Sequence, residues 1–208
     1  MIPALIQYGG PTMWVIMLVG AVALTVTIER VLALHQAQIH TTEFLAGVKN
    51  VLKRGSVVEA ISICEATSGP VPRLVKAAIL NRDKGRARVR EGIEEAGLAE
   101  TPRLEANLNI LKAITQIAPL LGLLGAALGM IEILYVLEQK GMAVPFSELA
   151  SGLWKALLST AAGIGLAVPC HVATAYLSGR VDAILTDMEK ASMEILRFLC
   201  DANEDESV

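Results

Sequence analysis

The chain has 208 residues, 53% hydrophobic and 19% charged, with a net charge of −3. That charge balance gives no footing for a nucleic-acid partner, and the apolar excess is gathered into runs that a soluble bundle does not need. Residues 1–28, 113–131 and 156–179 contain no Asp, Glu, Lys or Arg. At about 1.5 Å of rise per residue, each run is long enough as a helix to cross a hydrocarbon core of ~30 Å. The expected fold class is therefore an all-α membrane protein with three transmembrane helices.

The first element, residues 1–34, reads as a membrane helix from about Pro11 to beyond Ile28, with Trp14 near the outer interface. No Lys or Arg precedes its apolar part, and the first basic residue follows in Glu29-Arg30. A signal peptide has the opposite arrangement, so a retained helix with its N-terminus outside is expected. Thirteen of the 18 basic residues lie between Arg30 and Lys112. The connection after the second run has only Lys140, with Lys155 at the membrane edge. Positive-inside logic then places the long segment and the tail in the cytoplasm.

Residues 35–112 are expected to form a cytoplasmic helical region of small elements. Ser56-Val57-Val58-Glu59 has the pattern of a capping box, and Gly69 with Pro70 and Pro72 interrupts the helical pattern. Residues 84–100 are highly charged and suit a solvated helix or hairpin. From Arg103, the series Leu104, Leu108, Leu111 and Ile114 recurs at helical spacing without a breaker. One long helix is predicted to run from there into the second membrane span, 113–137.

Within that span, Gly122, Gly125, Ala126 and Gly129 form a small-residue surface, with Gly125 and Gly129 in GxxxG spacing. Lipid tails give helices no hydrophobic reason to associate, so small residues that permit close backbone approach carry the packing. Pro119 cannot donate to the carbonyl of Thr115, which leaves an acceptor free beside Thr115 and Gln116. A simple kink and a wetted or partner-facing surface both remain open.

A short periplasmic loop, 138–154, leads to the third span, 155–179. Ser159, Thr160, Gly163 and Gly165 occupy its outer half, and Pro169 frees the carbonyl of Gly165. Either hydroxyl can bond a preceding carbonyl and be functionally silent, or hold a water and relay a proton. His171 is the one imidazole at membrane depth, either a neutral packing residue or a functional group. Glu132 and Lys155 flank the outer boundary, where they either pair at the periplasmic mouth or extend separately to water. No carboxylate lies near the middle of any span, so a proton pathway would need its titratable station from another chain. Residues 180–208 form a cytoplasmic helix and acidic tail. In it Val181, Ile184, Met188, Ala191, Ile195 and Phe198 make a seam at three- and four-residue spacing. That seam packs inside one subunit, lines a ring, or both.

Cys64, Cys170 and Cys200 have no metal-ligand spacing and read as reduced and structural. No nucleophile with its base and no metal cluster is apparent, so neither an enzyme nor a cofactor is expected.

The runs APLLGLLGAALGM at 118–130 and ALLSTAAGIGLAVP at 156–169 resemble the second- and third-helix signatures of the MotA/TolQ/ExbB proton-channel family. Gly9, Gly10, Met13 and Glu29-Arg30 fit the same resemblance, which covers nearly the whole chain and favours a three-span, ExbB- or TolQ-like form. It implies a homo-oligomeric inner-membrane ring, usually of five subunits, around single-span partners of the ExbD/TolR type that bring a membrane Asp. The engaged protein beyond the membrane would be TonB- or TolA-like. Thr160 matches the threonine that the family associates with the proton path, and Ser159 and Thr115 are its polar neighbours here. There are departures: Ala126 stands where Thr is usual, Lys155 where the best-known members have Glu, and Ala175 where Asn is frequent. The expected function is a proton-driven motor subunit of the TonB type. A Tol-type envelope motor and a non-conducting membrane scaffold are the alternatives.

Overall fold

The computed structural model describes residues 10–38, 40–141 and 144–205. Gly9 and the end of the acidic tail lie outside them. Among the described residues the chain is all helical: α1 Gly10–Ala37, α2 Thr41–Lys53, α3 Val57–Ala66, α4 Pro70–Leu80, a 3-10 turn Arg82–Lys84, α5 Arg86–Glu105, α6 Leu108–Lys140 and α7 Phe146–Asp205. Three helical runs are long and apolar enough to cross a membrane, within Gly10–Lys53, Arg86–Lys140 and Phe146–Cys200. The chain divides into two compact units, Met1–Arg30 with Asn107–Tyr176 and Val31–Ala106 with Leu177–Val208.

In the first unit, α6 and α7 pack through glycine. A Cβ on Gly122 would lie 3.0 Å from the Ser159 carbonyl oxygen, and one on Gly129 would lie 2.9 Å from that of Gly152. Gly163 returns the contact, 2.6 Å from the carbonyl oxygen of Ala118. Such approach is open only to residues without a side chain, which is the physical content of the GxxxG spacing. α1 joins this pair: a Cβ on Gly20 would meet Leu166 at 3.4 Å.

The second unit is built on α4, where Pro70, Val71, Pro72, Leu74, Val75, Ala78 and Ile79 are all buried. Gly69, at φ 136°, turns the chain so that Pro70 opens this helix, a position that asks for no N–H. The Gly-Pro signal thus starts α4 as much as it ends α3. Ser56 stands at the N-cap of α3 as its pattern predicts, although its hydroxyl makes no capping bond. In α5 the charged surface hides Val89, Ile93, Leu104 and Glu100. Glu100 is buried with both oxygens engaged, at 2.7 Å from Arg73 and 3.0 Å from Arg103, and pairing of this kind is what a buried carboxylate requires. The seam on α7 is buried within the chain itself at Val181, Ile184, Met188, Ala191 and Ile195. It closes on Leu199 instead of Phe198, whose ring lies 5.8 Å beneath the Lys49 ammonium. Lys49 also pairs with Glu194.

Two boundaries differ from the expectation. The helix predicted to run unbroken from Arg103 stops at Glu105, because Ala106 is extended and Asn107 adopts the left-handed conformation, φ 60°. Asn is one of the few side-chain-bearing residues that accept it. The connection expected over 138–154 is mostly helical: α6 continues to Lys140 and α7 begins at Phe146, with Lys140 paired to Glu148 at 2.6 Å across the turn.

Candidate proton-path and packing site

Every site residue expected on the second and third spans lies in the first unit, on α6 or α7. Ser159 is fully buried, and its hydroxyl donates to the carbonyl of Lys155 at 2.6 Å, with Ala156 at 3.2 Å. It fills the space over Gly125, where a Cβ would lie 2.6 Å from its Oγ. Thr160 is half-buried and donates to the Ala156 carbonyl at 3.0 Å, with the Gly122 carbonyl of α6 at 3.5 Å. Thr115 donates to Leu111 at 2.9 Å and stands 3.5 Å from the hydroxyl of Thr174, which itself donates to Cys170 at 2.7 Å.

The structure adds two hydroxyls that the sequence reading passed over. Thr174 is buried at the same seam, and Thr12 of α1 would approach a Cβ on Gly125 to 2.9 Å. Thr174 sits 14 residues from Thr160, close to a whole number of helical turns, and that spacing was its available signal. Thr12 carries no such signal, since its place depends on how α1 meets α6.

Gly122, Gly125, Gly129 and Gly163 all lie in the α6–α7 contact. Gly165 does not: nothing within this chain comes within 4 Å of a Cβ built there. Pro119 is half-buried and Pro169 exposed. At the other end of the span, Lys155 reaches both oxygens of Glu132, at 2.6 and 2.8 Å. The partners are partly exposed, 31% and 47% of their side chains, so the pair ties the helix ends together at a wet boundary. Past the uncharged run of α1, Glu29 is held by Arg30 at 3.0 Å and by the Asn107 amide at 3.0 Å.

Chemically, this seam offers oxygen lone pairs and no titratable carboxylate. Ser159, Thr160, Thr115 and Thr174 each direct their proton to a carbonyl of their own helix, which leaves the hydroxyl oxygen as an acceptor for water or for a partner's acid. Among the described residues, no group of three His, Cys, Asp or Glu is placed to hold a metal ion.

Comparison with known proteins identifies the family. A family model described as the MotA/TolQ/ExbB proton channel family matches residues 66–190. An ExbB homolog of biopolymer transport from Methanothermobacter thermautotrophicus is 23% identical over 207 residues, covering 96% of this chain and 73% of its own length. The ExbB-like 1 biopolymer transport protein of Synechocystis is 28% identical over 167 residues, 77% of this chain and 64% of that protein. The biopolymer transport protein ExbB of Aquifex aeolicus is 35% identical over 86 residues, 41% of this chain and 57% of its own. The chain thus spans under two thirds of the last two relatives. The family match takes in more than half of this chain, including the glycine seam and its hydroxyls on α6 and α7, and the chain belongs to the MotA/TolQ/ExbB proton channel family.

Proposed function

We propose that this chain is the ring-forming subunit of a proton-driven motor in a bacterial inner membrane, with its N-terminus periplasmic and its C-terminus cytoplasmic. The observation that carries this reading is the α6–α7 seam, in which Thr160, Ser159 and the Thr115–Thr174 pair supply oxygen acceptors while no carboxylate lies within 113–131 or 156–179. A path built this way needs an acid from outside the chain. A single-span partner of the ExbD/TolR type, with an Asp in its membrane helix, supplies that acid from the centre of the ring. Family membership and the biopolymer-transport names of its relatives support a TonB-type role, in which proton flow does mechanical work on a periplasm-spanning protein.

The test is to purify the tagged chain with whatever single-span protein accompanies it and to reconstitute the complex in vesicles. A potassium diffusion potential then drives protons, followed by an entrapped pH-sensitive dye. Flux well above that of empty vesicles is expected. It should fall sharply in Thr160→Val, which removes the hydroxyl at nearly constant volume, while the assembly keeps its mass. A complex that contains the partner yet carries no more protons than empty vesicles would leave only a scaffold. Deleting the chain should impair gradient-driven uptake across the outer membrane. Loss of envelope integrity with uptake intact would favour the Tol-type motor instead.

A further inference from the structure

Within the first unit His171 has a setting unlike that of the other polar residues of its span. Ser159, Thr160 and Thr174 each bond a helix carbonyl, whereas His171 is exposed, and among the described residues no hydrogen bond or ion pair reaches it. It is therefore not a packing residue of the single chain. It also lies well inside the uncharged run 156–179, about 12 Å of helix from its inner end. An ionisable group at that depth faces a bundle interior or a water-filled cavity, because hydrocarbon offers its ring nitrogens nothing to bond.

Helical phase says which side of α7 that is. Eleven residues separate His171 from Thr160, and at about 100° per residue they lie within about 20° of one another, some 16 Å apart along the axis. The exposed apolar face begins just beyond it and runs away from the seam: Ile164, Val168 and Val172 stand about 40°, 80° and 120° round the helix from Thr160 and are 51%, 59% and 63% exposed. His171 thus follows Thr160 along the margin of the α6–α7 seam. One turn further on is Thr174, whose hydroxyl meets Thr115.

We propose that His171 is a proton-relaying group on the inner half of the conduction path, below Thr160. The proposal rests on the proton-channel reading and deepens it by giving His171 the functional of its two readings, as a station on this chain below the central one that a partner supplies. The step balances simply. The free ring nitrogen of neutral His171 takes a proton from water or from the partner's carboxylic acid. The resulting imidazolium gives one proton to water on the inner side, and neutral imidazole is regenerated with one proton moved. Imidazole suits this task because one ring nitrogen can accept a proton while the other donates one. On the packed helix α6 the same level carries Thr115 and Gln116, with no charge before Lys112. On α1 the first charges are Glu29 and Arg30, already held to each other. On α7 itself the flanking charges are Lys155 and Arg180, at the two ends of the span.

The experiment uses the reconstituted complex, driven by a potassium diffusion potential at equal pH on both sides. His171→Gln keeps hydrogen bonding and removes titration. Its flux is expected to fall by about tenfold or more, with the ring mass unchanged. In His171→Ala, added millimolar imidazole should restore flux, while Thr160→Val should not respond to it. If His171→Gln keeps wild-type flux while Thr160→Val loses flux, the relay is overturned and the channel reading stands. If the wild-type complex carries no protons, both fall together. If His171→Gln does not assemble, the Ala variant decides: restoration by imidazole supports the relay, and an assembled ring that stays silent overturns it.

Discussion

Gly163 and Gly165 stand two positions apart on α7 and meet opposite surroundings. A Cβ on Gly163 would press on the Ala118 backbone at 2.6 Å, whereas one on Gly165 would meet nothing in this chain. Backbone cannot give way as a flexible side chain can, so Gly163→Ala should force α6 and α7 apart and cost about 1–3 kcal/mol. Gly165→Ala should leave the single chain untouched. Thermal unfolding in detergent checks this, with a lowered midpoint expected only for the first variant. A change in oligomer mass with Gly165→Ala would place that glycine between subunits. Cys64 of α3 makes a second case. Burial pushes its thiol up from an ordinary 9.0 to about 11, with Lys76 pulling down and Glu65 pushing up. The neutral form is the one favoured by folding, so the stability it contributes is fully present below pH 9.0 and is lost as pH rises through about 11. At neutral pH, N-ethylmaleimide should therefore modify Cys64 much more slowly than the half-exposed Cys200. Equal rates would mean that α3 opens readily.

At the scale of elements, the membrane helices were legible because a missing charge is a strong signal over some twenty residues. The α6–α7 contact was legible too, since glycine spacing states which face approaches closely. Asn107 was harder to read. A single Asn within a leucine-rich helical series gives no warning of a left-handed turn, and here the turn is stabilised by a contact with Glu29, 78 positions away. The early start of α7 was hidden in the same way, because Glu148 finds Lys140 only once the turn between the helices is made. Glu132 and Lys155 mark the middle ground: similar depth suggested a pair, and the geometry supplies one with two short contacts. A double-mutant cycle on Glu132→Gln and Lys155→Gln should give a coupling of up to about 1 kcal/mol in ring or chain stability, as partly exposed pairs do. The double variant is expected to be less impaired than the sum of the singles. Strict additivity would show two residues acting independently, and the notion of a charged latch at the helix ends would be dropped. Where the resemblance leads one to expect Glu, Lys155 reverses the charge, and Glu132 is the partner that accommodates it.

For the molecule as a whole, the first unit leaves Leu120, Leu123 and Leu124 of α6 and Ile164, Val168 and Val172 of α7 exposed, each by more than half. In water such a surface would force association, but in a bilayer lipid satisfies it equally well. Assembly must then rest on close approach of small residues and on polar groups that need protein or water around them. α7 provides both, with Ala161 and Gly165 on its exposed side for approach and His171 at the margin of the seam as a group that lipid cannot satisfy. A ring is the assembly expected on this reading. The surfaces of α6 and α7 left open on one chain are different from each other, and a heterologous contact gives a cycle where its rotation closes, whereas a two-fold pair needs a self-complementary patch. Native mass spectrometry of the protein extracted in mild detergent is expected to give a single closed oligomer, with five copies as the number that the family resemblance implies. Replacing Ala161 and Gly165 together by Leu should shift that mass toward the single chain without lowering its helix content by circular dichroism. Only monomers or dimers from the unaltered protein would overturn the ring, and with it the shared central space in which Thr160, His171 and a partner's acid could meet.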